Sequence, residues 1–364
     1  MRRALALAAA LAAAWLLGAA PAPVALDVLL AADPAPSLDA YRLFLDAGGR
    51  RPNAGVTPYA LNTPLFSDYA EKSRYVFIPP GARARYTGEG LPDFPVGAAL
   101  VKVFAYPADL RRPGEKVRLV ETRLLIRKPE GWTAQAYVWN AEQTKAVLKR
   151  AGARLDVETV GEDGAPLSID YAVPNANQCK ECHSLNGVLS PIGPKARNLN
   201  GDYAYADGAE NQIAHWSRTG LLEGAPSPAA ILRTARWDDP AEPLADRARA
   251  YLDGNCGHCH NPAGAASNSG LFLDLEEQNP SARGMDKRPV AAGRGSGELE
   301  VDIAAGRPDR SILVYRMASV EPGVMMPELG RSIVHKEGLA LIRAYVAAMD
   351  EPARNPASGT ITPP

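Results

Sequence analysis

The apolar positions of this chain change rhythm part-way along. Over residues 74–78, 82–86, 98–106, 116–126, 132–139, 153–160 and 167–173, β-branched and aromatic residues form short runs, mostly separated by Gly, Pro or Asp. Short strands at near-regular spacing, with no stretch between them long enough for a crossover helix, predict an all-β, sandwich- or barrel-like domain over residues 36–175. It opens with a short helical pattern at 38–45, introduced by Pro36-Ser37 and stopped by Gly48-Gly49, and then a polar, Pro-rich stretch to Pro64. From Pro174 the strand signals fade. Residues 211–222 have helical spacing. Leu244, Ala248, Tyr251 and Leu252 fall at i, i+4, i+7 and i+8. Leu339, Ile342, Val346 and Met349 fall at i, i+3, i+7 and i+10, and residues 311–317 form a shorter apolar segment. These periods predict helices. The expected fold class is therefore mixed, with an all-β domain followed by an all-α region. That region is read as a segment over 176–240, a helical domain over 241–350 and a flexible tail over 351–364. In the strand at 132–139, Tyr137 and Trp139 share a face and Trp132 takes the other. Core packing is preferred there over an aromatic ligand face.

The first 25 residues read as a secretory signal. Arg2 and Arg3 form a positive start, residues 4–17 are apolar and uncharged, and small residues follow at Gly18, Ala19, Ala20, Ala22 and Ala25. A retained anchor is the competing reading, but the run is short for a span of about 20 residues and mostly alanine. Pro21 disfavours cleavage directly after Ala20. The expected location is the periplasm, with no integral membrane span once the signal is removed. Lys and Arg number 40 and Asp and Glu 41, a formal charge of -1. This near balance gives no reason to expect nucleic acid, which calls for a basic face or stripe.

An exported chain is permitted disulfides, yet each of the four cysteines sits in a Cys-x-x-Cys pair. Both pairs are followed by histidine: Cys179-Lys180-Glu181-Cys182-His183 and Cys256-Gly257-His258-Cys259-His260. This is the attachment pattern of c-type haem. Two thiols at this spacing reach the two vinyl groups of the macrocycle, and the next residue offers an imidazole to the iron. Zinc ribbons, dithiol redox motifs and structural disulfides compete for paired cysteines. None of them explains a histidine after both pairs in a chain with only five histidines. The expected cofactors are two haem c groups, attached at Cys179 and Cys182 and at Cys256 and Cys259, with His183 and His260 as axial ligands.

Downstream of the second motif, Pro322-Gly323-Val324-Met325-Met326-Pro327 precedes the last helical pattern. A Met-Pro loop there suits a thioether ligand opposite His260. Met326 is the assigned residue and Met325 the fallback. No methionine lies between His183 and Cys256, so the sixth ligand of the first haem stays open. His215 is the candidate, against a helix-surface histidine beside a buried Trp. Met317 is weaker, His335 reads as a helix-start residue, and His258 is expected to face solvent.

Residues 241–350, with helix, motif, Met-Pro loop and helix in that order, resemble class I cytochrome c. Residues 176–240 then form a first haem-binding segment. The whole chain resembles a family of exported bacterial diheme c-type cytochromes with a β-rich N-terminal region. The resembling stretches include Asn62-Thr63-Pro64-Leu65-Phe66-Ser67-Asp68-Tyr69-Ala70, Phe94-Pro95-Val96-Gly97, Tyr137-Val138-Trp139-Asn140, Val173-Pro174-Asn175-Ala176-Asn177-Gln178-Cys179 and Pro191-Ile192-Gly193-Pro194-Lys195. The resemblance implies electron transfer and names no substrate.

The leading reading is an electron carrier whose partners are a donor dehydrogenase or a terminal acceptor. The alternative is a diheme oxidoreductase, peroxidase-like or acting on a small molecule, with an open-site haem. Against it, the motifs begin only 77 residues apart, at positions 179 and 256, and no proton donor is clearly placed.

Overall fold

The computed structural model describes residues 21–46 and 48–350. Most of the expected signal (1–20) and the tail (351–364) lie outside the described residues. Leu26–Leu30 (α1) is followed by the strands Val56–Tyr59 (β1), Glu71–Phe77 (β2), Ala84–Arg85 (β3), Ala99–Tyr106 (β4), Arg118–Lys128 (β5), Gly131–Trp139 (β6), Ala146–Leu148 (β7), Ala153–Val160 (β8) and Pro166–Val173 (β9). Six of them form one antiparallel sheet in the order β1-β2-β4-β5-β6-β7. The outer strands do not pair, so the sheet is open and no barrel closes. β8 and β9 form a separate hairpin.

Period-two alternation gives the sheet two different faces. Tyr75, Phe77, Val101, Val103, Leu124, Ile126, Tyr137 and Trp139 bury one face against Leu29, Leu38, Tyr41 and Leu43. Each fully buried large apolar side chain contributes about 1.5–3 kcal/mol. Tyr137 and Trp139 are thus core residues. Trp132 lies on the other face, edge-on to Phe94.

That second face is split. At one end Val76, Ile78 and Leu100 pack with Ile213, Trp216 and Leu222 of the later chain. At the other end Phe104, Tyr106, Val120, Ala136 and Val138 are covered by Val157, Ile169, Tyr171 and Val173 of the β8–β9 hairpin. Between the two apolar ends runs a rung of cations, Arg74 opposite Lys102 opposite Arg123.

The later chain corrects the expected all-α, cytochrome c-like region. Its helices are short: Ala176–Cys182 (α2), Ala196–Leu199 (α3), Gln212–Arg218 (α4), Leu244–Leu252 (α5), Ile312–Ala318 (α6) and Lys336–Ala347 (α7). Five strands stand among them: Ser184–Leu185 (β10), Val188–Leu189 (β11), Asp202–Tyr205 (β12), Gly208–Asn211 (β13) and Leu222–Glu223 (β14). Two hairpins result, and β14 pairs in parallel with β3, tying the later chain to the β region. Most of residues 258–311 is irregular, since the helical periods are brief and Gly, Pro and Asn interrupt them. α5, α6 and α7 do pack together, through Tyr251, Leu252, Val314, Met317, Leu341 and Ile342. Among the described residues no helix is long and apolar enough to cross a membrane.

Candidate functional site

Each Cys-x-x-Cys-His motif is presented by a local device. Asn175 starts α2 with a reciprocal cap. Its side chain accepts from the Gln178 backbone N–H at 3.0 Å, and the Gln178 side chain accepts from the Asn175 N–H at 3.0 Å. Cys179 and Cys182 then fall three residues apart on one helical face, and His183 closes the helix with its N–H on the Cys179 carbonyl. The β10–β11 hairpin turns at Asn186-Gly187, both with positive φ, the backbone that a two-residue hairpin turn requires. The turn returns the chain so that Ser190 faces His183.

In the second motif α5 widens into a π-turn over Asp253–Gly257 that carries Cys256, a distortion often found at functional sites. The N–H groups of Cys259 and His260 both bond the Cys256 carbonyl. Gly257 and Gly264 are needed for space. A Cβ at Gly257 would lie 2.9 Å from the Asp274 Cα, and one at Gly264 would lie 2.3 Å from the Cys259 carbonyl oxygen.

The two motif histidines share one arrangement. Nδ1 of His183 donates to the Ser190 carbonyl at 2.9 Å, and Nδ1 of His260 donates to the Leu271 carbonyl at 3.2 Å. A carbonyl only accepts, so the proton sits on Nδ1 in both rings, and Nε2 keeps its lone pair. Burial holds both rings neutral, pushing His183 down to about 3 and His260 down to about 4. A neutral imidazole with its second nitrogen anchored on a carbonyl is the state a metal ligand needs.

The motifs meet. One cavity, with about 1820 Å³ of empty space up to and including its mouth, is lined by Cys179, Cys182, His183, Cys256 and His258. The thiols of Cys182 and Cys259 and the His258 ring lie within 4.8 Å of one another. Hydrogen bonds from Cys259, and next from His258, hold Cys182 below the ordinary thiol value, while the Cys259 thiol is pushed up. Burial pushes Cys256 up to about 12. His258 therefore does not simply face solvent. It lines the cavity, and its Nδ1 is buried without a partner.

The other expected residues separate. Met326 and Met317 line the cavity, and Met325 is not among its lining residues. His215 is not among them either. It stacks on Tyr205 at 3.5 Å between ring centres and bonds Glu210 at 3.0 Å, so the structure does not bring it to either motif.

Several cavity residues carry no sequence motif. His335 does precede α7, as expected, but its ring lines the cavity, stacked on Phe66 at 4.1 Å with Nδ1 3.0 Å from the Tyr251 hydroxyl. Arg74, Lys102 and Arg123 also line it. Their placement on one rung was readable only from strand register. Asp68, buried and with positive φ, accepts from the backbone N–H groups of Ser332 and Ile333 at 2.7 and 3.1 Å. It thereby fastens the loop that carries Met326. No protein-family model, no curated protein and no solved structure matches the chain.

Proposed function

We propose that this chain is a periplasmic diheme c-type cytochrome that transfers electrons between redox partner proteins. The observation that carries the reading is the shared state of His183 and His260, each with Nδ1 on a backbone carbonyl and Nε2 free, directly after a thiol pair. Cys179 and Cys182 would hold one haem and Cys256 and Cys259 the other. His183 and His260 would be the axial ligands, and Met326 the sixth ligand of the second haem. The haems, when bound, supply iron that takes up and releases single electrons. The protein's part is to anchor the groups, keep both imidazoles neutral and oriented, and bring the two attachment sites together. The approach of Cys182 to Cys259 supports exchange between the two groups within the molecule.

The same approach favours a second reading. Cys182, His258 and Cys259 form a three-donor cluster with the softness and spacing of a zinc site. The two readings exclude each other, because a thiol bonded to a vinyl carbon as a thioether is no longer a thiolate ligand. A pyridine haemochrome assay on protein from a host that matures c-type cytochromes should give two haems per chain, resistant to acid-acetone. Replacing Cys179 and Cys182 together by Ser should leave one haem, as should replacing Cys256 and Cys259. A chain with no covalent haem and one zinc ion would transfer the assignment to the cluster.

A further inference from the structure

We propose that Arg74 and Lys102, on the cavity side of β2 and β4, bind the two propionate carboxylates of the haem borne by Cys179 and Cys182. The inference rests on the diheme reading and adds the protein's partners for the haem's charged edge.

Arg74 pairs directly with Lys102, and Lys102 with Arg123, across three adjacent strands. Like charges directly opposite in a sheet destabilise it, and here they lie between two apolar patches. Arg123 has an acidic partner. It gives two hydrogen bonds, at 2.5 and 2.9 Å, to Glu121, which is fully buried and also accepts from the Tyr171 hydroxyl at 2.7 Å. The other cations that line the cavity are committed as well. Lys195 pairs with Asp253 at 3.0 Å, and Arg331 donates to the carbonyls of Met326, Ser319, Ile333 and Arg316.

Arg74 and Lys102 are not so matched. Arg74 is 9% exposed and donates to a single carbonyl, that of Lys72, at 3.2 Å. The Lys102 ammonium lies 5.0 Å from the centre of the Phe104 ring. Among the described residues neither forms an ion pair. Burial, then Arg123 and Arg74, push Lys102 down to about 7, so its charge is disfavoured until an anion joins it. A buried cation without a counter-ion is strongly unfavourable.

Position and number then identify the ligand. The helix α2, which carries Cys179 and Cys182, and the strand β11 beyond it both lie against β6, the strand paired with Arg123's β5; the charges of Arg123 and Lys102 reach Cys179 and His183, whereas the cation acting on Cys256 is Arg331. The rung therefore belongs to the first motif. Two cations that form no ion pair match a group with two carboxylates. The other source of the same chemistry is a free anion admitted from solution.

The test uses the full chain matured with its haems, with Arg74→Gln, Lys102→Gln and the charge-keeping Lys102→Arg. Haem content is measured by pyridine haemochrome, propionate contacts by the propionate bending band in resonance Raman spectra, and potentials by spectroelectrochemistry. With two haems per chain, both glutamine variants should shift the band and Lys102→Arg should not. The potential of one haem should fall enough to change its reduced-to-oxidised ratio about tenfold, which is about 59 mV for one electron. In the unmodified chain the band should move on transfer to D₂O, a reading that needs no variant. Two haems with an unmoved band and unmoved potentials would overturn the inference and leave the diheme reading intact. So would a band that does not respond to D₂O. Inorganic phosphate that shifts the potential of the unmodified chain but not of Lys102→Gln would reassign the rung to a free anion. No covalent haem at all would remove the diheme reading and this inference together.

Discussion

Met325 and Met326 are neighbours in the chain with different surroundings. Met326 lines the cavity, and its carbonyl is held by Arg331 at 2.8 Å; Met325 donates its N–H to Glu321 and is not a lining residue. On the diheme reading, Met326→Leu should abolish the weak far-red band of Met–iron ligation in the oxidised protein, and Met325→Leu should preserve it. Loss of the band in the second variant alone would reverse the assignment. The sequence displayed both methionines, since Met-Pro after the second motif is a local signal. It did not display the choice between them, which depends on what Arg331 and Asp68 do to the loop. His335 shows the same limit. Its place before α7 was legible, but its stacking on Phe66 joins positions 269 apart in the chain, and no periodicity encodes such a contact.

Among the elements, α5 and α7 touch where Gly338 meets the ring of Tyr251. A Cβ at Gly338 would lie 2.3 Å from the tyrosine oxygen and 2.4 Å from the carbon that bears it. Gly338→Ala should therefore destabilise the protein by about 1–3 kcal/mol in denaturant titrations, the range for overpacking a filled site. The β12–β13 hairpin is joined to α4 by charge. Arg218, and then His215, hold the Glu210 carboxyl down to about 2. A lowered carboxyl pKa means the unfolded chain binds the proton first as pH falls. The contribution is whole above about 4.5 and is lost between about 4.5 and 2. Glu210→Gln should flatten the fall of the melting temperature across that window, and an unchanged profile would show that the hairpin's tie to α4 lies elsewhere. Strands with clear alternation were the most legible elements, and the strand expected at 153–160 stands where it was placed. β7 is too short to show a pattern. β10 and β11 could have been found from Asn186-Gly187, which signals a tight turn, had the flanking residues alternated. The all-α expectation failed because helical periods of seven to twelve residues do not exclude strands between them.

For the whole molecule, the division at residue 175 is a boundary in sequence more than in packing. Val76, Ile78 and Leu100 of the sheet are buried by Ile213, Trp216 and Leu222 from beyond it, and β14 extends from β3. Residues 36–175 expressed alone should therefore expose that apolar patch and lack a cooperative thermal transition by circular dichroism. A sharp transition would show that the sheet folds without the later chain. Changes of composition suggested a boundary because they register secondary structure, whereas the buried seam joins residues more than 100 positions apart. The closeness of Cys182 and Cys259 bears on the order in which such a protein is built. In a chain that folded with its thiols free, the thiol of Cys182 would sit beside that of Cys259, and an oxidising compartment such as the proposed periplasm would join such a pair. The bond formed there would lock both motifs against their cofactors. On the diheme reading, capping the thiols has to run ahead of the closure of the cavity, and folding becomes the last step of assembly.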